Sequence, residues 1–441
     1  MSHRYLPHTQ ADIDRMLRRC GVSRIEDLYS DVPEQLLFKG EYDIPSEMSE
    51  RQVREFFNTL GDANRQLVCF AGNGFYDHDT PAAVSYVISR SEFLTAYTPY
   101  QPEISQGTLQ YIFEYQTMMC RLTGMDVSNA SMYDGTTATA EAMMMSVAHA
   151  RKRNRVLVSA TMRQGVTDVV ATYARYHGVT VDIIPEKDGV TDADALAGML
   201  AEGNVAGVIV AQRNRYGIIE DYTGFSEKCK GAKALFIMNC VASDLAVLKT
   251  PAEWGADVAV GDAQSLGIPL SYGGPYLGFM CCTNALIRKL PGRIVGKTVD
   301  NDGRRVFVLT LQAREQHIRR EKATSNICSN QGLMALFVTV YMSLAGAEGL
   351  REINRQGEKG AHYLARQLTS TGKTTLTFPD KPFLNEFCIT TTAPASEIIT
   401  KALEQGILAG VALDEHRMTI AVTELQSKED MDRLTEIVKA L

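Results

Sequence analysis

Cysteine pairs with metal-binding or redox spacing are missing from this sequence. The 441 residues include nine cysteines but no Cys-X-X-Cys motif, and the one close pair, Cys281-Cys282, follows an apolar run. The eight histidines and the cysteines do not combine into a metal-ligand pattern. This usage argues against a disulfide framework and a structural metal site. We therefore expect no bound metal and reduced, mostly buried thiols, as is typical of a cytoplasmic enzyme.

An excess of positive charge and a long hydrophobic run are missing too. The formal net charge is −7, so the charge pattern gives no indication of nucleic-acid binding. The most basic run, Arg314–Lys322, is interrupted by Glu315 and Glu321 and taken alone is typical of a solvated helix face. No segment approaches the roughly 20 apolar residues that span a bilayer, and the first residues, MSHRYLPHTQAD, lack the apolar core of a secretory signal. We expect no membrane association and a cytoplasmic location.

The composition is that of a folded protein, with 45% hydrophobic and 22% charged residues, and the length allows a large core and more than one domain. Up to about residue 60 the pattern is helical. Thr9 with Asp12, Ser23 with Glu26, and Ser49 with Gln52 form helix-capping patterns, and an apolar stripe at i, i+3, i+4 and i+7 follows the third. Helices this short are rarely stable alone. We predict a helical arm, residues 1–60, that packs on something larger.

Between about residues 130 and 285, short apolar runs alternate with stretches long enough for a helix. The runs have the length and composition of buried strands, predicted at residues 156–158, 179–184, 205–211, 234–238 and 258–260. Strands that alternate with helices predict βαβ units and a parallel sheet covered on both faces. The fold class is therefore α/β, with a doubly wound, mostly parallel sheet in a large domain at residues 61–330.

The last part of the chain predicts a smaller α+β domain at residues 331–441. It begins with two helical patterns, and two strand candidates and a closing helix follow. These elements are predicted at residues 331–344, 351–368, 387–391, 418–422 and 428–441.

Four segments combine glycine, proline, aromatic and charged residues where a plain sheet protein does not need them. They are Gly72–Asp79, Tyr97–Gly107, Tyr133–Glu141 and Gln312–Cys328. In the third, Gly135, Thr136 and Thr137 open a predicted helix, whose free N–H groups can hold a phosphate or a carboxylate. An ordinary N-cap explains the same residues, and for this segment taken alone we favour that explanation.

All four segments, in this order and at these distances, resemble the P-protein of the glycine cleavage system, and specifically subunit 1 of its two-chain form. The similarity is densest in REQHIRREKATSNIC, at residues 314–328, and also covers TPYQPEISQGTLQ and residues 264–275. It runs from near the first residue to Glu424. The resemblance implies a fold-type I pyridoxal-phosphate architecture, which agrees with the alternation of strands and helices. It also implies the reaction, in which glycine condenses with the cofactor, loses carbon dioxide and passes its aminomethyl group to the lipoyl arm of the H-protein.

The lysine that such chemistry needs for a Schiff base is not where the resemblance places it. In the catalytic subunit of the family the lysine lies four residues before an Ile-Pro pair. In this frame, Gln264-Ser-Leu-Gly-Ile-Pro269, a glutamine stands instead. The resemblance implies that the carboxylate that keeps the pyridine nitrogen protonated is missing as well, because Val241 stands at the matching position. Asp244 is three residues further on, and we do not expect it to substitute.

Two losses at one pocket predict a degenerate site formed by Gly135, Thr136, Thr137 and Gln264. Other lysines, such as Lys249, Lys289 and Lys297, have no context that places them at the carboxyl edge of the sheet. The resemblance then implies that subunit 2 holds pyridoxal phosphate covalently and this chain does not. The expected assembly is α2β2, with glycine as substrate and the lipoylated H-protein as a further partner.

We expect this chain to complete the site of subunit 2 across an interface. The candidates, which rest on side-chain chemistry and the resemblance together, are Tyr97, Tyr100, Gln101, Glu103, His317, Arg319, Arg320 and Asn326. His317 suits proton transfer, and the two arginines suit a carboxylate, a phosphate or an acidic carrier protein. A structural role remains open for each: His317 as a hydrogen-bonded core residue, or Arg320 in an ion pair with Glu321 or Glu315.

Two other functions remain open from the sequence alone. One is an independent pyridoxal-phosphate decarboxylase or transaminase that uses another lysine. The second is a non-catalytic scaffold without a glycine cleavage partner. Visible absorption of the purified chain near the aldimine band would indicate the first, and a partner chain that carries a lysine in this frame distinguishes the expected function from the second.

Overall fold

The computed structural model describes Tyr5 and residues 7–441. The chain divides into two compact units, one that ends at Arg65 and one that runs from Gln66 to Leu441. The predicted arm, residues 1–60, falls in the first unit, and its residues 1–4 and 6 lie outside the described part. The boundary between residues 330 and 331 falls inside the second unit, and the division there stays a prediction.

The first unit contains two α-helices, α1 (Gln10–Cys20) and α2 (Glu50–Asp62), and two short 3-10 turns. The predicted capping patterns at Thr9 and Ser49 are present, whereas the one at Ser23 is not, because the N–H of Ser23 donates to Asp27 and not to Glu26. The N–H of Thr9 donates to Asp12 at 3.0 Å, and the N–H of Ser49 donates to Gln52 at 2.8 Å. The caps satisfy backbone groups that the first turn of a helix leaves without partners.

The second unit contains the remaining helices and strands of the chain. Its helices are α3 (Ala82–Ile88), α4 (Ser91–Leu94), α5 (Gln106–Thr123), α6 (Gly135–Ala150), α7 (Gln164–His177), α8 (Ala193–Ala201), α9 (Phe225–Gly231), α10 (Gln316–Arg319), α11 (Gly332–Ser370), α12 (Ala395–Glu404) and α13 (Lys428–Lys439). Its strands are β1 (Val68–Cys69), β2 (Val127–Ser128), β3 (Arg155–Ser159), β4 (Thr180–Ile184), β5 (Glu186–Lys187), β6 (Val190–Thr191), β7 (Val205–Ala211), β8 (Leu235–Val241), β9 (Val258–Asp262), β10 (Gly278–Cys282), β11 (Ile294–Val299), β12 (Arg305–Thr310), β13 (Thr374–Leu376), β14 (Glu386–Thr391), β15 (Ile407–Leu408), β16 (Val411–Ala412) and β17 (Arg417–Ala421).

The central sheet has seven strands in the order β2-β10-β9-β8-β7-β3-β4. Strands β4, β3, β7, β8 and β9 are parallel, and β10 is antiparallel to both of its neighbours. Every residue of β7 and β8 is buried. Along β8, Phe236 and Met238 pack into one core cluster, and Leu235 and Ile237 pack into another. Both faces are therefore covered, and the predicted doubly wound, mostly parallel sheet is confirmed.

The C-terminal part forms a second sheet, antiparallel, in the order β13-β14-β17-β16. It shares a core with the second half of α11, with α12 and with α13. Strand β1 pairs in parallel with β15, and Phe70 lies in the same core. That pairing could not be predicted from the sequence, because two residues a strand are too few for a hydrophobic pattern.

Helix α11 is long and apolar enough, by length and composition alone, to span a bilayer. It is interrupted at Gly346, whose φ of 61° and ψ of −174° are not helical. Its first half packs into the core with Phe337, Val338 and Tyr341. Since core helices of soluble proteins pass the same test, we interpret α11 as a core helix. The interruption separates the two helices that the sequence predicts.

Candidate functional site

The side chains that follow the central parallel strands lie along the carboxyl edge of the sheet. Arg163 follows β3, Arg213 follows β7, Asp244 follows β8 and Gln264 follows β9. Ligands of open α/β sheets bind at this edge. The predicted degenerate pocket therefore falls in the region where a cofactor of such a sheet is expected.

Gln264, at the position where the resemblance predicts the lysine, is fully buried, and both polar atoms of its side chain are hydrogen-bonded. Its Oε1 accepts from the N–H of Tyr76 at 2.8 Å. Its Nε2 donates to the carbonyl of Tyr76 at 2.8 Å and to that of Ile268 at 2.6 Å. The amide thus fastens the Tyr76 segment to the loop after β9. Since an amide nitrogen is not nucleophilic, Gln264 cannot form the bond that a lysine forms.

Arg213 holds a buried network of polar side chains beside this amide. Its Nε lies 2.8 Å from Asp244 Oδ2, and its Nη1 donates to Asn385 Oδ1 at 2.5 Å. The guanidinium lies 4.6 Å from the centre of the Tyr76 ring, whose hydroxyl donates to Glu386 at 2.7 Å. Burial lowers the pKa of Arg213, but Asp244, Tyr76 and Glu386 outweigh burial and raise it, so the guanidinium stays charged. Asp244 is thereby engaged in an ion pair.

The N-terminus of α6 is capped by carboxylates of the chain itself. Asp134 Oδ1 accepts from the N–H of Thr136 at 2.9 Å and from that of Thr137 at 2.8 Å. Asp262 Oδ2 accepts from the N–H of Gly135 at 2.9 Å. A Cβ on Gly135 would lie 2.6 Å from the backbone nitrogen of Asp262, so this close approach requires glycine. The donors that could hold a phosphate here are already engaged, in the manner of an ordinary N-cap.

Between these groups lies a cavity of about 70 Å³. Its lining includes Asn73, Thr136, Arg163, Asn239, Val241 and Asp262. Ligand and cofactor pockets usually measure about 300–1,000 Å³, so this cavity has room for a few water molecules or one small ion. Val241 contributes an apolar side chain at the position where the resemblance predicts a carboxylate.

In the part of the chain that the structure describes, the lining of this cavity includes no lysine. The three other lysines considered from the sequence, Lys249, Lys289 and Lys297, are exposed. Lys249 Nζ lies 3.7 Å from the centre of the Trp254 ring, in a cation–π contact. None of these amines is positioned to replace Gln264.

The candidates of the second segment lie on an exposed loop before α5. Tyr97, Tyr100, Gln101 and Glu103 are all exposed, whereas Pro99 is buried and holds the loop. The hydroxyl of Tyr97 lies 3.1 Å from the hydroxyl of Ser329, just beyond the fourth segment. The structure thus brings the second and fourth segments together.

The candidates of the fourth segment are exposed as well. His317, Arg319, Arg320 and Asn326 have exposed side chains, so His317 is not a core residue. Its Nδ1 lies 3.8 Å from Glu315. Among the described residues, no carboxylate lies within ion-pair distance of Arg319 or Arg320, so the ion pair considered for Arg320 is not formed.

The backbone of Arg320 has a φ of 53° and a ψ of −126°. Glycine adopts this region readily, but for other residues it costs of order 1–3 kcal/mol. Strain of this kind is most frequent at functional sites, where the surrounding structure maintains it. The eight exposed candidates do not line the cavity, so the predicted residues form two groups, one at the cavity and one on neighbouring surface segments.

Several residues of the carboxyl edge were missed by the sequence analysis, namely Tyr76, Arg163, Asp262 and Glu386. Asp262 had a local signal, since it lies two residues beyond the strand predicted at residues 258–260. Burial raises the pKa of Asp262 to about 7, although hydrogen bonds from backbone N–H groups lower it. Glu386 had no such signal, because it meets Tyr76 across 310 residues.

A more spacious groove of about 540 Å³ lies between α11 and α13. Its lining includes Arg355, Lys359, Arg366, Lys428 and Glu424. It contains none of the residues of the carboxyl edge or of the exposed candidates. Over Tyr5 and residues 7–441, no group of three or more His, Cys, Asp or Glu side chains is arranged to hold a metal ion.

The comparisons with known proteins all indicate the same family. The family described as glycine cleavage system P-protein matches residues 3–438. A protein of Anoxybacillus flavithermus named probable glycine dehydrogenase (decarboxylating) subunit 1 is 48% identical over 445 residues, which cover 99% of this chain and 98% of that protein. A protein of the same name from Bacillus cereus is 47% identical, with 100% of both chains covered.

Solved structures agree with the sequence matches. The chain is similar to a crystal structure of glycine decarboxylase (P-protein) of the glycine cleavage system in inhibitor-bound form, with a TM-score of 0.91, 40% identity and 99% of this chain and 100% of that chain covered. An alanine–glyoxylate aminotransferase from Nostoc has a TM-score of 0.62 at 14% identity, with 92% and 98% covered, and shows the fold alone. The chain therefore has the fold-type I architecture of pyridoxal-phosphate enzymes that the resemblance implied.

Proposed function

The chain belongs to the glycine cleavage system P-protein family, and from this premise we propose that it is subunit 1 of a two-chain glycine dehydrogenase (aminomethyl-transferring). The full-length matches to relatives named subunit 1 support this. In the proposed reaction glycine loses carbon dioxide, and its aminomethyl group passes to the lipoyl arm of the H-protein. The observation that carries the proposal is the buried amide of Gln264, at the position where the resemblance places a lysine.

The cofactor that the family uses, pyridoxal phosphate, does not fit the carboxyl edge of this chain. Gln264 supplies an amide and Val241 an apolar side chain, and the N–H groups of α6 are bonded to Asp134 and Asp262. The cavity of about 70 Å³ is also too small. We therefore assign the cofactor, bound covalently, to subunit 2, where it acts as the electron sink for decarboxylation.

The exposed residues of the second and fourth segments are the part of this chain that we assign to the shared site. The strained, unpaired Arg320 is available for the carboxylate of glycine or for a phosphate, because the guanidinium fork matches either. His317, exposed beside Glu315, suits holding or releasing a proton near neutral pH. Tyr97, Tyr100, Gln101, Glu103, Arg319 and Asn326 are assigned to the same surface. Covering this surface with subunit 2 excludes water from the reacting groups.

The proposed assembly is an α2β2 complex in the cytoplasm, without nucleic acid or membrane. The negative net charge and the core position of α11 are compatible with it. An independent pyridoxal-phosphate enzyme is disfavoured, because no lysine among the described residues lines the cavity. A non-catalytic scaffold is distinguished by adding the partner chain.

The test is exchange of bicarbonate carbon with glycine, measured for each subunit alone and for both together. We expect exchange only, or far above either background, when both are present. Arg320→Ala in this chain is expected to lower exchange by about tenfold or more, as loss of a charged hydrogen bond does. Arg304→Ala serves as the control, since Arg304 is an exposed arginine of the β11–β12 hairpin. If adding this chain to subunit 2 left the exchange unchanged, the result would contradict the proposal.

A further inference from the structure

Arg163 is a buried arginine without a counter-ion. It is 7% exposed, its Nε has no hydrogen-bond partner, and its Nη2 donates to the carbonyl of Arg213 at a long 3.4 Å. Within the described residues no carboxylate lies within ion-pair distance of it. A buried charge is costly unless it is paired, so such a group requires an explanation.

The neighbouring turn is shaped around this guanidinium. Gly74 has a φ of 96°, and a Cβ placed on it would lie 2.7 Å from Arg163 Cζ. With Arg163 in this conformation, residue 74 has no room for a side chain, and its positive φ also favours glycine. The guanidinium packs against the backbone of this turn, and both line the cavity.

Arg163 also stands at the N-terminus of α7, a helix of 14 residues with no side-chain cap. Gly165 and Val166, from the first turn of α7, line the same cavity. Helix N-termini carry partial positive charge and orphan N–H groups. The N-terminus of α6 differs, because Asp134 and Asp262 take up its donors.

The acidic groups nearby are engaged elsewhere. Asp262 lines the cavity, but its two oxygens accept from the N–H groups of Gln264 and Gly135 at 2.8 and 2.9 Å. Asp244 is bound to Arg213, and Glu386 accepts from Tyr76. Arg163, which faces the cavity beside the first turn of α7, thus has no carboxylate of the described residues within ion-pair distance, and that turn has no side-chain cap.

We propose that this cavity is an anion site, in which Arg163 and the first turn of α7 bind one small oxyanion, a carboxylate or inorganic phosphate. The cavity of about 70 Å³ admits an ion of that size and excludes pyridoxal phosphate. This inference goes beyond the proposed function, because residues of this chain alone bind the anion and no second subunit is needed.

The experiment titrates the purified full chain with sodium phosphate, sodium acetate, glycine and pyridoxal phosphate at constant ionic strength. Calorimetry and the thermal unfolding midpoint report binding. We expect phosphate or acetate to bind and raise Tm, and Arg163→Gln to weaken that binding by about tenfold or more. The control is Arg175→Gln, on the exposed side of the same helix, which should leave binding unchanged. The binding of acetate and glycine, compared with the binding of phosphate, shows whether the site prefers a carboxylate or a phosphate.

Binding of phosphate that is equal in Arg163→Gln and the wild type overturns the proposal, and so does the absence of binding by any of these anions. Pyridoxal phosphate that binds in an Arg163-dependent manner overturns it as well. Should Arg163→Gln fail to fold, Arg163→Lys keeps the charge but not the fork and should bind more weakly. A crystal structure of the wild-type chain with phosphate should show the ion within hydrogen-bonding distance of Arg163 Nε, and phosphate elsewhere contradicts the proposal.

Discussion

The side chain of Gln264 and the main chain of Tyr76 form a reciprocal pair of hydrogen bonds, each 2.8 Å long. The pair joins segments that are 188 residues apart in sequence. It makes Gln264 a structural residue at the carboxyl edge, because both ends of its amide are used to fix Tyr76. The replacement of a lysine by glutamine at this position, which the resemblance implies, therefore adds contacts as well as removing an amine.

A lysine at position 264 is consequently expected not to restore a cofactor site. Gln264→Lys loses the bonds to Tyr76 and Ile268 and introduces a buried ammonium group, so we expect the free energy of unfolding to fall by about 3–5 kcal/mol. The variant should show no visible absorption band of a pyridoxal–lysine adduct. Chemical unfolding and absorption spectra with added pyridoxal phosphate check both expectations.

Gln264→Met is the matched variant, since it removes the amide without adding charge. It should be destabilised less than Gln264→Lys, by about 1–3 kcal/mol for the backbone groups left without partners. A covalent adduct in Gln264→Lys would contradict the conclusion that this chain's pocket does not fit the cofactor.

The network around Arg213 leads to a prediction on stability. Arg213→Met leaves Asp244 buried without its partner, and breaking a buried ion pair from one side costs about 3–5 kcal/mol. The double variant Arg213→Met/Asp244→Asn should lose less than the two single variants together, because the uncompensated charge is gone. Urea unfolding at neutral pH measures all three.

An exposed ion pair provides the control for that series. Arg351 and Glu348 lie 2.5 Å apart on the surface of α11, and such pairs contribute little. Arg351→Met should change the free energy of unfolding by about 0.5 kcal/mol or less. Equal losses in Arg213→Met and Arg351→Met would show that the buried network does not stabilise the fold.

The sequence predicts those parts of the fold that are encoded locally. Val205–Ala211 is a continuous apolar run, and β7 has these bounds. The helix that begins at Gly135 and the capping boxes at Thr9 and Ser49 were likewise visible in short windows. Strand β9 extends two residues beyond its prediction, to Asp262, because a polar residue at the end of a buried strand interrupts the apolar pattern.

The network at the carboxyl edge could not be predicted in the same way. Arg213 lies two residues beyond the predicted strand at residues 205–211. Its partners Asn385 and Asp244 are 172 and 31 residues away in sequence. Nothing in a local window indicates which distant side chain will meet a buried arginine. The family resemblance singled out Gln264, whereas the role of its amide depends on a contact that becomes visible only in the folded chain.

The backbone of Arg320 leads to a prediction that separates strain from charge. Glycine adopts a φ of 53° and a ψ of −126° without a Cβ penalty. Arg320→Gly should therefore give a larger free energy of unfolding than Arg320→Ala, by about 1 kcal/mol. Both variants lack the guanidinium, so both should lose glycine–bicarbonate exchange in the reconstituted complex. Chemical unfolding of the chain and the exchange assay measure the two effects, and restored exchange in Arg320→Gly would assign the residue a conformational role only.

Glu141 of α6 gives a prediction on pH. It is 5% exposed, Ser325 donates to its Oε1 at 2.8 Å, and its Oε2 has no hydrogen-bond partner. Burial raises the pKa of Glu141 from 4.5 to about 7, although the hydrogen bond from Ser325 and the charge of His177 lower it. Because the folded-state pKa is the higher one, the unfolded chain releases this proton first as the pH rises. The contribution of Glu141 to the free energy of unfolding is therefore most favourable below about pH 4.5, and it is lost as the pH rises through 7.

Glu141→Gln should remove this part of the pH dependence. A shift from 4.5 to about 7 corresponds to an upper limit of about 3 kcal/mol, so the variant should be more stable than the wild type at pH 8 and similar to it at pH 4.5. Asp262 titrates in the same window, since its pKa is also about 7, and the slope should therefore decrease without disappearing. Urea unfolding at half-unit steps of pH measures the slope, with the exposed Glu436→Gln as the control. Parallel pH profiles for Glu141→Gln and the wild type would contradict the prediction. They would mean that the carboxyl of Glu141 ionises in the folded chain as easily as in the unfolded chain, despite its burial against Ser325.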